Sequence, residues 1–359
     1  MRPAPQKSTS LKLLIKILLS LLVGGLCLWL AIRKIDLSAT ASALRGLPAS
    51  AVLIYAATMV PTHLFRAWRW KYLLRPIGVS LTFGRLMTIS AAGFMAILAL
   101  PFRLGEFARP YYVVRSGQSR MSALLGTVAV ERIVDGLVIS ILFFATYIWA
   151  SRTGGAGYSS VLALAAWLSL IGFLSLTIFL ACALRWTEKT IRLVLAATLL
   201  RRLAPALAER VADKLRALIH GFRALREPRD MIPFLAQTML YWFSNGFGMW
   251  LLARDMHLAI PLTGAFAAMA FTGVLISLPN SPGLVGQFHA GILIALGAYL
   301  PAATVSSFGG AYAVALHGIQ FVWYVGLGFL ALLALGGGSR SLRTMVVESK
   351  RAAEEGEAS

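Results

Sequence analysis

The stretch AILALPFRLGEFARP, residues 96–110, decides how the chain folds. An apolar run closes on Leu-Pro, and two arginines with a glutamate between them follow at once. Proline breaks a helix from within, and an ionised side chain at the bilayer centre costs roughly 3 kcal/mol even on the mildest scale. Lipid satisfies neither free backbone groups nor charge. The expectation is a broken helix whose turn faces a cavity inside the protein.

The rest of the chain agrees with a membrane setting. Of 359 residues 58% are hydrophobic and only 13% charged, half the charge of an ordinary soluble domain, which carries about 25%, and the mean hydropathy is +0.75. Apolar runs cover residues 13–32, 47–65, 86–100, 133–150, 161–184, 231–253, 265–278, 291–300 and 311–335. A spanning helix takes about 20 such residues, so the runs at 86–100, 265–278 and 291–300 are too short to cross alone. The fold class expected is an all-α integral membrane protein.

The formal net charge of +20 lies between the apolar runs, where the positive-inside rule and anionic lipid account for it. No nucleic-acid module accompanies it, so nucleic acid is not an expected partner. Cys27 and Cys182 sit inside separate apolar runs, which argues for core residues and against a disulfide framework or a cysteine metal site. The first run follows Arg2, Lys7, Lys12 and Lys16 and precedes the small residues SATASAL, but the intervening RKID and the length of the run favour an uncleaved first helix with a cytoplasmic N-terminus.

Counting charges gives a topology. RAWRWKYLLRP with Arg85 carries five Lys/Arg and no acid, and residues 103–132 carry five more Arg. Residues 185–229 carry eleven Lys/Arg against four acids, whereas the loop at 300–310 has none. The basic stretches belong in the cytoplasm, so the segment 81–115 must enter and return on one side, a re-entrant hairpin turning at LPFRLGE. By the same parity the segment 261–301 enters from the other face and turns at LPNSPGLVGQF. That gives about six spanning helices plus two opposed re-entrant hairpins. The turns are alike, each with Leu-Pro, then Gly, an acid or amide, and Phe, as an inverted repeat around a midplane site would require. A chance likeness of two Pro/Gly turns is the alternative, and a true spanning pair at 265–300 has the same parity.

Within residues 186–229 apolar residues from Ile191 to Leu225 recur every three or four positions with Arg and Lys between them, broken by Pro205. Such basic amphipathic helices lie on the anionic inner leaflet or pack on the protein's own cytoplasmic face. Residues 1–335 form one membrane domain. Residues 336–359 are polar and are expected to be disordered.

The charged residues suggest a site. Arg103 and Arg109, with Glu106 one helical turn from each, stand at the first turn, and the planar guanidinium fork is the natural partner of phosphate. The sequence reading gives Arg103 and Arg109 the headgroup contact, with a structural network neutralised by Glu106 as the alternative. Glu131 and Asp135 share a helix face at i, i+4, with Arg132 alongside, and need a basic partner such as Arg103 or Arg109. They complete the polar site or carry a coupling proton, or else mark the water-exposed start of a helix. Arg66 and Arg69, beside Trp70, end the second helix, as substrate contacts or as snorkelling residues of the inner interface. At the second turn stand Pro279, Asn280, Pro282, Gly283, Gly286 and Gln287, with Asn280 and Ser281 as caps. His289 nearby is a candidate for proton coupling or a structural histidine. No ligand-like spacing links His63, His220, His257 and His317, and GGGS after Leu335 lacks the context of a phosphate loop, so neither metal nor cofactor is expected.

Four of these stretches, RAWRWKYLL (66–74), LPFRLGEFAR (100–109), ERIVD (131–135) and LPNSPGLVGQF (278–288), resemble in order and spacing the flippase-like membrane family named after the transmembrane region of lysylphosphatidylglycerol synthase. That region is the N-terminal half of the bacterial multiple peptide resistance factor. The likeness covers about residues 11–335 and implies a multi-helix domain that moves lipids between leaflets. The chain departs from the family pattern at the second turn, where Leu284 replaces a usual Gly and His289 stands where a Glu is expected, and it lacks the Asn that commonly precedes the first Pro.

The function expected is transport of an anionic phospholipid or polyprenyl-phosphate lipid across a bacterial inner membrane, with both termini cytoplasmic and no enzymatic step. The rivals are a scaffold for envelope lipid biosynthesis, docking through residues 185–229, and a lipid transferase using Glu131 and Asp135 with a divalent metal. Partners open to it are anionic lipid, a second copy of the chain, or an envelope-biosynthesis protein.

Overall fold

The computed structural model describes residues 35–100, 105–117, 119–152, 160–198, 205–220, 227–277 and 281–335, with residues 22, 25–29, 33 and 222 beside them. Among the described residues every regular element is a helix. Most of the first apolar run, at 13–32, and the polar tail, at 336–359, lie outside them.

Helix α1 (Leu37–Arg45) starts on Asp36, whose carboxylate accepts from the backbone N–H of Ser38 at 2.9 Å and of Ala39 at 3.0 Å, the usual side-chain remedy for free amides at a helix start. Helix α2 (Ala49–Trp68) runs through Pro61 and leads into α3 (Trp70–Leu74). Helix α4 (Phe83–Ala99) is followed, past the break, by α5 (Ala108–Val114). Helix α6 (Met121–Arg152) has 32 residues and α7 (Ser160–Arg185) has 26.

Two amphipathic helices follow, α8 (Thr187–Ala197) and α9 (Pro205–His220). Pro205 does split the segment, and it does so as the first residue of α9, where its missing N–H costs nothing. Ile191, Leu195, Ala208, Ala212 and Ile219 join the same buried core as Leu124 and Val130 of α6. The apolar stripe is therefore covered by the protein itself, which settles the choice left open above between leaflet and own face.

Helix α10 (Pro228–Asp255) lies along α2, and α11 (Leu262–Leu275) and α12 (Gln287–Leu296) form a pair. The last helix, α13 (Gly310–Ala334), packs on α4.

Among the described residues three stretches are long and apolar enough to cross a membrane: α6, residues 162–185 of α7, and the run Ala302–Ala334 that ends in α13. A fourth is counted if α1 and the bent segment after it, at 85° to each other, form one span. Leu164, Trp167, Leu168, Ile171 and Phe179 of α7 are exposed, a surface suited to lipid and not to water. The protein is an all-helical membrane protein.

Helices α4 and α5 fold back on each other. A Cβ on Gly105 would overlap the backbone of Ala96 and Ile97, and one on Gly93 would overlap the Arg109 side chain. Residue 105 thus lies against 96 and 109 against 93, the register of an antiparallel return. At 17 residues α4 is about 25 Å long, short of the roughly 30 Å of a hydrocarbon core. Helices α11 and α12 do the same. A Cβ on Gly291 would stand 2.7 Å from the Thr272 hydroxyl, and one on Gly264 would stand 3.2 Å from the Tyr299 ring. Small residues let paired helices approach where lipid gives no hydrophobic drive.

Two cores result. One gathers Trp70, Ile89, Val113 and Leu124, and the other Tyr55, Phe143, Met269, Ile292 and Tyr312. A small aromatic cluster of Phe94, Leu98 and Tyr324, with Leu284 against it, lies beside them.

Candidate functional site

Helices α2, α5, α6 and α10 bring four charges into the interior. Arg69 is fully buried and donates to both oxygens of Asp135, at 2.6 and 2.7 Å, and to the Thr238 hydroxyl at 3.2 Å. The Trp242 indole N–H donates to Asp135 at 3.1 Å. Arg109 donates through its fork to Glu131, and its guanidinium lies 4.7 Å from the Trp70 ring centre. Trp70 is held in turn by donating to the Thr127 hydroxyl at 2.9 Å. Taking a charge out of water costs several kcal/mol, which a close and well-aligned counter-charge offsets. Both pairs supply that contact, although the Nε of Arg69 and of Arg109 has no hydrogen-bond partner.

Several expectations change here. Helix α6 begins at Met121, so Glu131 and Asp135 are interior and not at a water-exposed helix start; both are buried. Arg69 and Trp70 are fully buried and therefore do not snorkel to the interface. Among the described residues Asp135 takes Arg69 as its closest partner and not Arg109, while Glu131 does take Arg109. Arg109 is packed over Gly93, engaged by Glu131, and does not line the cavity described next. Arg103, Pro279 and Asn280 lie outside the described residues. Cys27 and Cys182 are free and only partly buried, so they are not core residues.

A cavity of about 280 Å³ lies between the two helical pairs. Its lining includes the charged Arg66, Arg132 and Asp135, the neutral polar Tyr241, Asn245, Thr272, Ser277 and Gln320, and the apolar Ile139, Phe173, Met269 and Ile292. Arg132 lies 3.5 Å from Asp135, 3.8 Å from Glu106 and 3.9 Å from Glu131, and its Nε and Nη2 have no hydrogen-bond partner. The Arg66 guanidinium sits 4.1 Å over Phe94 and 5.6 Å from the Tyr241 and Tyr324 rings. It makes no ion pair among the described residues, and its Nε has no partner.

The second turn is held by neutral bonds. Ser281 N–H donates to the Gln287 side-chain oxygen at 3.2 Å, and Ser281 Oγ donates to the Val285 carbonyl at 2.7 Å. His317 Nε2 bonds the Gly283 carbonyl at 2.7 Å. Gly283 and Gly286 take positive φ values of 69° and 89°, and Leu284 one of 58°, a left-handed conformation that costs an L-residue roughly 1–2 kcal/mol. Pro282 opens the short 3-10 turn between them. His289 lies edge-on to His317 at 4.8 Å, and its Nδ1 is buried without a hydrogen-bond partner. Among the described residues no three His, Cys, Asp or Glu side chains gather as metal ligands.

Sequence reasoning passed over α10. Thr238, Tyr241, Trp242, Asn245 and Met249 repeat every three or four residues, a polar and aromatic stripe inside an apolar run. That stripe is the signal that marks the wall of the cavity.

Fold and site together define a helical membrane protein with a network of paired charges beside a cavity of mixed polar and apolar lining. The chain matches the family model described as the lysylphosphatidylglycerol synthase TM region over residues 17–328, nearly its whole length, and it belongs to that family. No curated protein and no solved structure matches it.

Proposed function

We propose that the protein carries the anionic headgroup of a membrane lipid between the leaflets of a bacterial inner membrane. The observation that carries this reading is the cavity where the two helical pairs meet, whose lining combines the guanidinium groups of Arg66 and Arg132 with apolar side chains. A headgroup phosphate suits the guanidinium groups and the start of an acyl chain the apolar ones. In this reading α4–α5 and α11–α12 are hairpins that enter from opposite faces, six other helices span, both termini are cytoplasmic, and the lipid passes at the midplane as in other broken-helix transporters. Membership of a lipid-related membrane family supports it. Transport is favoured over a transferase because Glu131 and Asp135 are engaged by arginines, which leaves no carboxylate pair for a metal.

The test is transbilayer movement of labelled phospholipids and of a polyprenyl-phosphate lipid in proteoliposomes, with and without a pH gradient. The wild type is compared with Arg103→Ala and Glu106→Gln at matched reconstitution. Movement that the wild type supports and both variants lose sustains the reading. If no anionic lipid moves faster than in empty vesicles, the scaffold reading takes its place.

A further inference from the structure

We infer that the cavity selects a phosphodiester headgroup with one negative charge and hydroxyl groups beyond it, that Arg66 is its anchoring residue, and that dianionic and amine-bearing headgroups are disfavoured. The inference rests on the transport reading for its biology, but its chemistry stands on the cluster itself.

The four guanidinium groups Arg66, Arg69, Arg109 and Arg132 face three carboxylates, Glu106, Glu131 and Asp135, so the described cluster carries one positive charge in excess. The excess is not spread evenly. The closest, hydrogen-bonded pairs belong to Arg69 and Arg109, which are buried away from the cavity. The cavity wall is left with Arg66, which has no ion pair among the described residues, and with Arg132, whose ion pairs among them are all 3.5 Å or longer. Both have donors without partners. One phosphodiester balances the excess and receives the open forks. A phosphomonoester at its second ionisation would leave a negative charge unbalanced beside apolar walls, which is costly.

The rest of the wall reads the remainder of the headgroup. Asp135, the carboxylate in the wall, already takes two bonds from Arg69 and one from Trp242. An ammonium would find no open carboxylate there and two guanidinium groups repelling it. Lysylphosphatidylglycerol, from which the family takes its name, brings the two amines of its lysyl group against one phosphate. By contrast the Thr272 hydroxyl is buried without a hydrogen-bond partner, and Asn245 stands in the same wall. These suit hydroxyl groups.

The experiment is calorimetric binding of dioctanoyl phosphatidylglycerol, dioctanoyl phosphatidic acid and a short-chain lysylphosphatidylglycerol to the purified protein in detergent at pH 8, where the monoester is mostly dianionic because its second pKa is about 6. The expected result is preference for phosphatidylglycerol by about tenfold or more over each of the others. Arg66→Gln should remove most of that binding, Arg66→Lys should keep part of it by charge without the fork, and Thr272→Val should weaken it several-fold. Arg66 has no ion pair to break, so the variants should fold, and gel filtration with a melting curve checks this. Equal binding by Arg66→Gln and wild type, or tighter binding of the monoester or the lysyl lipid, overturns the inference. Selective binding without movement in vesicles removes the transport reading alone. Movement indifferent to Arg66 removes this inference alone.

Discussion

The two helical pairs use one backbone plan with opposite chemistry. In α4–α5 the returning helix presents Arg109 over Gly93 and delivers it to Glu131. In α11–α12 the returning helix begins with Gln287, which accepts from the Ser281 N–H, and the turn is tied to α13 by His317. The returning helix of the first pair reaches outward with charge, and the turn of the second closes on itself with neutral bonds. The difference teaches that repeat-like geometry does not entail repeat-like function. The first pair brings charge to the cluster, whereas the second supplies shape and the neutral wall.

The largest test of this contrast removes one partner of the buried pairs. Asp135→Ala strands Arg69 without a counter-charge and should cost about 3–5 kcal/mol. Gln287→Leu removes the acceptor of the Ser281 amide and no charge, and should cost about 1–3 kcal/mol. Melting in detergent compares them, and equal losses would break the contrast. The double variant Arg69→Met with Asp135→Leu should regain much of the loss, since an apolar pair of similar volume carries no desolvation cost.

Next in size is close approach. Gly105→Ala pushes a methyl into the backbone of Ala96 and Ile97, whereas Gly291→Ala meets the Thr272 side chain at 2.7 Å and its Cα at 2.9 Å. Overpacking costs about 1–3 kcal/mol, and Gly105→Ala should fall at or beyond the top of that range because backbone yields less than a hydroxyl. The same melting series reads it. A harmless Gly105→Ala would mean that the first pair is looser than its register implies.

The smallest effect lies outside both pairs and serves as their baseline. Glu188 is held below its usual 4.5 by the hydrogen bond from Arg216, helped by the nearby charges of Arg216 and Arg192. Since its folded pKa is depressed, its contribution is present above 4.5 and is lost as pH falls through the folded value. Glu188→Gln should therefore flatten stability against pH only in that acid window and change nothing measurable at pH 7, because the pair is exposed. A clear loss at pH 7 would show that α8 and α9 are joined by more than packing.

Much of this was legible in the chain. The class, the turn at residues 96–110, the break at Pro205 and the need of Glu131 for a basic partner all follow from local pattern. Asp135 with Arg69 did not, because 66 residues separate them and an arginine beside a tryptophan at a helix end reads equally well as an interface anchor. The start of α6 at Met121 was missed because Gly126 and Thr127 interrupt the apolar run; in the fold Gly126 is buried and Thr127 is the acceptor for Trp70. Leu284 at positive φ illustrates the reverse. The departure from a usual glycine was visible, while its compensation, packing against Phe94 and Leu98, was not.

Phe173 contributes the only side chain of α7 in the cavity wall among the described residues. Its ring occupies the notch left by Gly136, where a Cβ would overlap it. Ser169 and Thr177 spend their hydroxyls on the backbone of α7 itself, and among the described residues no ion pair fastens α7 to its neighbours. On that flank, then, a single benzene ring stands in the cavity wall, seated in a glycine notch. Where Asp135 is clamped by an arginine fork, this ring keeps its place by van der Waals fit.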